Sequence, residues 1–80
     1  MEITKEQLSG DGLSLLDVAV NVSMTKSKGD ARRAIESGGV YLNNIRTIDT
    51  TKRLSMNDTI HGKFILLRKG GKNYFLVKVK

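Results

Sequence analysis

Apolar residues recur along this chain with two different periods, and the switch between them near Gly39 separates a helical part from a strand part. From Leu13 to Val22, the positions Leu13, Leu16 and Val20, flanked by Leu15, Val18, Ala19 and Val22, fall at helical spacing. Only Asp17 and Asn21 are polar after Ser14. This predicts a largely buried helix. Ser14 and Asp17 have capping-box spacing at its start, with a carboxylate one methylene shorter than the usual glutamate. A second helix is expected from about Lys28 to Ser37, with Ser27 as its N-cap, Asp30 in its first turn and Gly38-Gly39 as a left-handed stop. Ala31, Ala34 and Ile35 form its apolar stripe, and the small alanines allow close approach to the first helix. A helix this short needs that packing, because isolated helices below about 12 residues are marginal in water.

Beyond Gly39 the period becomes 2. Val40-Tyr41-Leu42, the pair Asn43-Asn44 and Ile45 to Ile48 read as strand, tight turn and strand, and asparagine tolerates the positive φ of a type I′ turn. Residues 49 to 59 read as a polar loop anchored by Leu54 and Met56. Ile60 to Arg68 and Asn73 to Val79 then form a hairpin around Lys69-Gly70-Gly71-Lys72. Along its second strand Phe75, Val77 and Val79 alternate with Tyr74, Leu76 and Lys78. The expected class is α+β, two packed short helices followed by a small, mostly antiparallel sheet. Gly10-Asp11-Gly12 marks off residues 1–10 as a leader and residues 11–80 as the domain.

Composition narrows the chemistry. Eighty residues make one domain with a thin core. With no cysteine and His61 as the only histidine, there is no thiolate metal site and no nucleophile-base-orienter set to argue for. The expectation is a non-catalytic chain without metal or cofactor. No run approaches the roughly 18 apolar residues of a membrane span. The first six residues have neither a basic nor an apolar signal segment, so a cytoplasmic location is expected.

The net charge of +6 is unevenly placed. Residues 1–25 hold one base against four acids, net −3, and residues 26–80 hold thirteen against four, net +9. The base-rich part begins with Lys26-Ser27-Lys28-Gly29-Asp30-Ala31-Arg32-Arg33, four bases and one acid across a loop and the first turns of a helix. Lys28 and Arg32 are four apart, as are Gly29 and Arg33, so they share an exposed side while Ala31, Ala34 and Ile35 face inward. Cations at that end oppose the helix dipole, typically by about 0.3–1 kcal/mol, whereas its free N–H groups suit a phosphate. A solubilising surface with an Arg32–Glu36 pair is the competing explanation. Arg46, Lys52, Arg53, Arg68, Lys69 and Lys72 would extend a basic face or keep edge strands from aggregating. Lys69-Gly70-Gly71-Lys72 lacks the ending and following helix of a nucleotide-binding loop. Tyr41, Phe64, Tyr74 and Phe75 are the only aromatic residues, and their strand placement predicts core packing over base stacking for most of them.

SKGDARRAIESGGVYLNN, following LSLLDVAV, resembles the small S-four-like (alpha-L) RNA-binding fold named for the fourth protein of the small ribosomal subunit. The resemblance implies RNA phosphates held by Lys26, Lys28, Arg32 and Arg33, with Ser27 and Gly29 between them. GKFILLRKGGKNYFLV, residues 62 to 77, resembles the C-terminal tail of bacterial-type tyrosyl-tRNA synthetases. That resemblance covers about residues 11–80. It implies an appendage that grips tRNA(Tyr) near its long variable arm and anticodon stem. The leader would join it to a catalytic domain that binds ATP and tyrosine and through which the parent enzyme dimerises. Ser23 and Asn44 take positions where glycine is common in that family, and Gly71 one where lysine is common. A free-standing ribosome-associated or rRNA-modifying domain, or a protein-protein adaptor using the same basic face, are the rival expectations.

Overall fold

A computed structural model describes residues 1–80. In chain order the strands are β1 (Glu2–Ile3), β2 (Leu13–Ser14), β3 (Val40–Leu42), β4 (Ile45–Arg46), β5 (Arg53–Leu54), β6 (Phe64–Lys69) and β7 (Asn73–Val79). The helices are α1 (Leu15–Asn21) and α2 (Lys28–Glu36), with 3₁₀ turns at Glu6–Leu8 and Met56–Asp58. Five strands make one sheet in the order β1-β7-β6-β3-β4, antiparallel except at the β1–β7 edge, and β2 pairs with β5 apart from it. The α+β expectation of two short helices and a small, mostly antiparallel sheet is met.

Both helices stop by the same device. Around α2, Gly38 (φ 79°) donates to the Ile35 carbonyl and Gly39 to that of Ala34, both at 3.0 Å. Around α1, Ser23 donates to Val20 and Met24 to Ala19, and Ser23 itself takes φ 65°. The serine therefore adopts the left-handed conformation that glycine would take without a Cβ penalty. The N-termini differ. Ser27 caps α2, its hydroxyl accepting from the Asp30 amide at 3.1 Å. Ser14 makes no side-chain cap, because Leu13 and Ser14 are drawn into pairing with Leu54 and Arg53, and the capping box expected there does not form.

One face of the sheet and both helices share a core of Leu15, Val18, Ala19, Ala31, Ile35, Val40, Leu54, Ile65, Leu67 and Val77, with Ile3 and Leu8 in the same cluster. Residues 1–10 are thus part of the domain and the boundary expected at residue 11 moves. Ile3 (2% exposed) pairs beside Val79, and Leu8 (1%) is buried from the 3₁₀ turn. The Gly10-Asp11-Gly12 segment is a turn within the fold. A Cβ on Gly12 would lie 2.1 Å from the Leu54 carbonyl oxygen, so glycine is required for β5 to approach.

Asn43 and Asn44 form the hairpin turn with φ 51° and 67°. Asn43 also exchanges two bonds with β6, its side-chain carbonyl accepting from the Leu66 amide at 2.9 Å and its amide donating to the Leu66 carbonyl at 2.7 Å. The expected loop 49–59 holds more structure than its polarity indicates. Leu54 is buried, and Ser55 and Asp58 form a capping box around the Met56–Asp58 turn. The first strand of the last hairpin begins at Phe64 instead of Ile60, because His61 and Gly62 at positive φ fold Ile60 back to pair with Phe64.

Leu8→Ala should destabilise the chain by about 2–5 kcal/mol in urea unfolding, as burial in a packed core requires. An unchanged midpoint would return residues 1–10 to the status of a passive leader.

Candidate nucleic-acid interface

Helix α2 lies with Ala31 and Ile35 fully buried, which turns Lys28, Gly29, Arg32 and Arg33 to solvent. Lys26 and Ser27 are exposed in the loop before it. The Thr25 hydroxyl donates to the Ser27 carbonyl at 3.2 Å and helps hold the cap in place. All six positions expected from sequence to form the primary site therefore come together on one edge of the protein.

The four cations of this edge are not equivalent. The Lys28 ammonium meets Asp17 on α1 at 2.7 Å, and Arg33 pairs with Asp30 one turn earlier. Lys26 and Arg32 have no carboxylate partner, and the Arg32–Glu36 pair of the competing explanation does not form. The Lys28–Asp17 side chains are 67% and 43% exposed, and such pairs are worth about 0–1 kcal/mol, so a stronger anion can displace the carboxylate. A Cβ on Gly29 would meet only the Arg33 guanidinium at 3.7 Å and the Ser27 hydroxyl at 3.8 Å. The fold itself leaves room for a side chain there.

The six secondary candidates divide into three groups. Lys69 lies beside the primary edge. Its ammonium is 3.5 Å from the Met24 carbonyl, and it lines a shallow depression with Lys26 and Asp30. Lys72 is exposed in the turn between β6 and β7. Lys52 and Arg53 are held by the fold. Lys52 bridges Asp58 at 3.0 Å, and Arg53 donates to the Asp11 and Gly12 carbonyls, both at 3.0 Å, locking β5 to the turn before β2.

Arg46 and Arg68 form the third group, on the sheet face opposite the helices. Tyr41 pairs in register with Arg46 on one side and Arg68 on the other, and Arg68 pairs with Tyr74. The Arg68 guanidinium carbon lies 3.8 Å from the Tyr41 ring centroid and 6.0 Å from that of Tyr74. Arg46 donates to the Tyr41 hydroxyl at 3.0 Å. Of the four aromatic residues only Phe75 packs on the core cluster, and Tyr74 is 58% exposed. The expectation of core packing fails for Tyr41, Phe64 and Tyr74. The signal was present in the alternation, since Val40 and Leu42 face inward and so do Phe75 and Val77, which leaves Tyr41 and Tyr74 outward.

The fold and this cationic helix edge define a small α+β domain of the S-four-like class. The family described as tyrosine–tRNA ligase SYY-like C-terminal domain matches residues 1–77. A tyrosine–tRNA ligase of Roseiflexus castenholzii is 46% identical over 77 residues, covering 96% of this chain and 18% of that protein. One from Opitutus terrae is 37% identical over 98% of this chain and 18% of its own length. The chloroplastic/mitochondrial enzyme of Arabidopsis thaliana is 38% identical over 85% of this chain and 13% of its own. A solved structure, the solution structure of a tyrosyl-tRNA synthetase C-terminal domain, superposes with a TM-score of 0.70 at 30% identity, covering 89% of this chain and 72% of that one. The chain belongs to the tyrosine–tRNA ligase C-terminal domain family. It spans less than a fifth of the length of these curated relatives and corresponds to their C-terminal domain, not to the catalytic one.

The Arg46 bond, then the charge of the same guanidinium, lowers the Tyr41 pKa below the usual phenol value; the charge of Arg68 adds to this and burial opposes it. Arg46→Met should therefore move the ultraviolet-detected titration of Tyr41 to higher pH. A titration identical to that of the parent chain would contradict the contact.

Proposed function

We propose that this chain is a non-catalytic tRNA-binding domain. It holds tRNA(Tyr) by backbone phosphates against the N-terminal edge of α2, near the long variable arm and the anticodon stem. Its place is on a cytoplasmic tyrosyl-tRNA synthetase whose catalytic domain binds ATP and tyrosine and forms the dimer. The observation that carries this reading is the pairing pattern of the edge. Lys26 and Arg32 are exposed cations without carboxylates, set beside the N–H groups of a nine-residue helix whose dipole favours an anion there. A solubilising surface would pair Arg32 with Glu36 four residues on, and that pair is not made.

The supporting chemistry is local. Lys28 and Arg33 sit in exposed ion pairs that a phosphate can replace at little cost. Gly29, which the fold does not require to be glycine, lets a sugar-phosphate backbone come close. Lys69 adds a cation from the sheet side of the same depression. Lys52 and Arg53, occupied with Asp58 and with two backbone carbonyls, serve the fold.

Affinity for tRNA should fall linearly with salt on logarithmic axes, each neutralised phosphate contributing about 0.7–0.9 to the slope. Arg32→Ala and Lys28→Ala should each weaken binding and flatten that slope by one such step, with thermal unfolding unchanged. A tRNA with a short variable arm should bind less tightly than one with a long arm. If Arg32→Glu leaves affinity intact, the α2 edge is not the contact surface; equal affinity for the two arms removes tRNA(Tyr) as the ligand.

A further inference from the structure

The open face of the sheet carries a row that phosphate binding at α2 does not use. Arg46, Tyr41, Arg68 and Tyr74 are consecutive cross-strand neighbours on β4, β3, β6 and β7, so cation and ring alternate across four strands. Neither arginine has a carboxylate partner. Their hydrogen-bonding forks are partly engaged within the chain, Arg46 on the Tyr41 hydroxyl at 3.0 Å and Arg68 on the Gly70 carbonyl at 3.3 Å. The Arg68 Nε is buried without an acceptor, so its guanidinium is held mainly by its stacking on Tyr41.

What this row offers a ligand is flat surface and positive charge, more than free hydrogen-bond donors. An acidic peptide needs the donors; a nucleobase needs the surface, and its phosphate the charge. Continuity with the other edge points the same way. Arg68 and Lys69 are adjacent on β6 and face opposite sides of the sheet, and Lys69 reaches the depression that it shares with Lys26. Beyond Lys69 the β6–β7 hairpin turns back along β7 to Tyr74, the most exposed aromatic residue of the chain.

We infer that the Arg46–Tyr41–Arg68–Tyr74 row is a stacking platform for an unpaired nucleobase of the RNA bound at α2. This rests on the RNA-binding reading above and adds a second kind of contact to it. The phosphates at α2 supply salt-dependent affinity, and the base on Tyr74 and Arg68 supplies affinity that depends on a nucleotide being out of the helix. Base-on-aromatic stacking is worth about 1–3 kcal/mol per base, which corresponds to roughly fivefold to more than a hundredfold in affinity.

The test uses two hairpin RNAs with the same stem, one blunt and one with a single-stranded extension. Both tyrosines lie in the row and the chain has no tryptophan, so its intrinsic fluorescence reports on this face alone. Tyrosine emission should be quenched more by the extended hairpin than by the blunt one. Tyr74→Leu should weaken the extended hairpin by at least about fivefold, leave the blunt one unchanged and keep the salt slope, while Tyr74→Phe should restore the parent affinity. Three results would overturn the inference: no loss in Tyr74→Leu, an equal loss for both hairpins with a flatter slope, or a loss confined to association with the catalytic domain of a tyrosyl-tRNA synthetase. In each of these the parent chain still binds RNA through α2. A parent chain that binds neither hairpin overturns the α2 reading as well.

Discussion

The burial of Ala31 and Ile35 decides how helix α2 sits, and most of what the chain presents to a partner follows from it. Nine residues do not form a stable helix in water alone, so α2 exists because this side is held in one cluster with Leu15, Val18 and Ala19 of α1 and with Val40, Ile65 and Leu67 of the sheet. The small side chain at residue 31 lets the helices approach, and the Ser27 cap then fixes where the first free N–H groups point. Lys28, Arg32 and Arg33 have only the outward side left. The same packing brings the loop before α2 against the end of β6, which is why Lys69, 41 residues after Lys28 in the chain, joins the same cationic edge.

Charge in this protein has been divided between holding the fold and facing outward. Arg53 and Lys52 close the region around β5, where a two-stranded pairing would otherwise be weak, by binding backbone carbonyls and the Asp58 carboxylate. Lys28 and Arg33 take exposed carboxylates that contribute little to stability and are readily exchanged. Lys26 and Arg32 are left unpaired, as are Arg46 and Arg68 on the far face, where aromatic rings rather than acids keep them in place. Positive charge without local neutralisation destabilises a compact chain slightly, and a polyanion relieves that repulsion. Lys69 links the two sides, lining a depression with Lys26 and following Arg68 directly on β6.

Much of this was legible in residue order. The helical spacing of Ala31, Ala34 and Ile35, the Ser27 cap, the Gly38 stop and the Asn43-Asn44 turn each rest on interactions within a few residues, and the structure contains each of them. The features that residue order does not show depend on distant partners. Glu2–Ile3 is too short to show a period and becomes a strand only because β7 offers an edge. Leu13–Ser14 reads as helix until Arg53 and Leu54 pair with it. The Arg46–Tyr41–Arg68–Tyr74 row needs the register of four strands, which alternation alone does not supply. Of the candidate site, the α2 residues were legible because one helix carries them. The division of the secondary cations was not, since Asp58 and the Asp11 carbonyl come from elsewhere in the chain.

On the proposed reading, RNA lies on the N-terminal edge of α2 and continues around the β6–β7 hairpin. Amide chemical-shift mapping on the isotopically labelled chain during titration with tRNA(Tyr) tests it residue by residue. The largest perturbations are expected between Met24 and Arg33 and from Arg68 to Tyr74, with Glu2–Ile3 and the Glu6–Leu8 turn little changed. Perturbations centred on β1, on the Glu6–Leu8 turn or on Asp49 to Thr51, with the α2 edge silent, would contradict it.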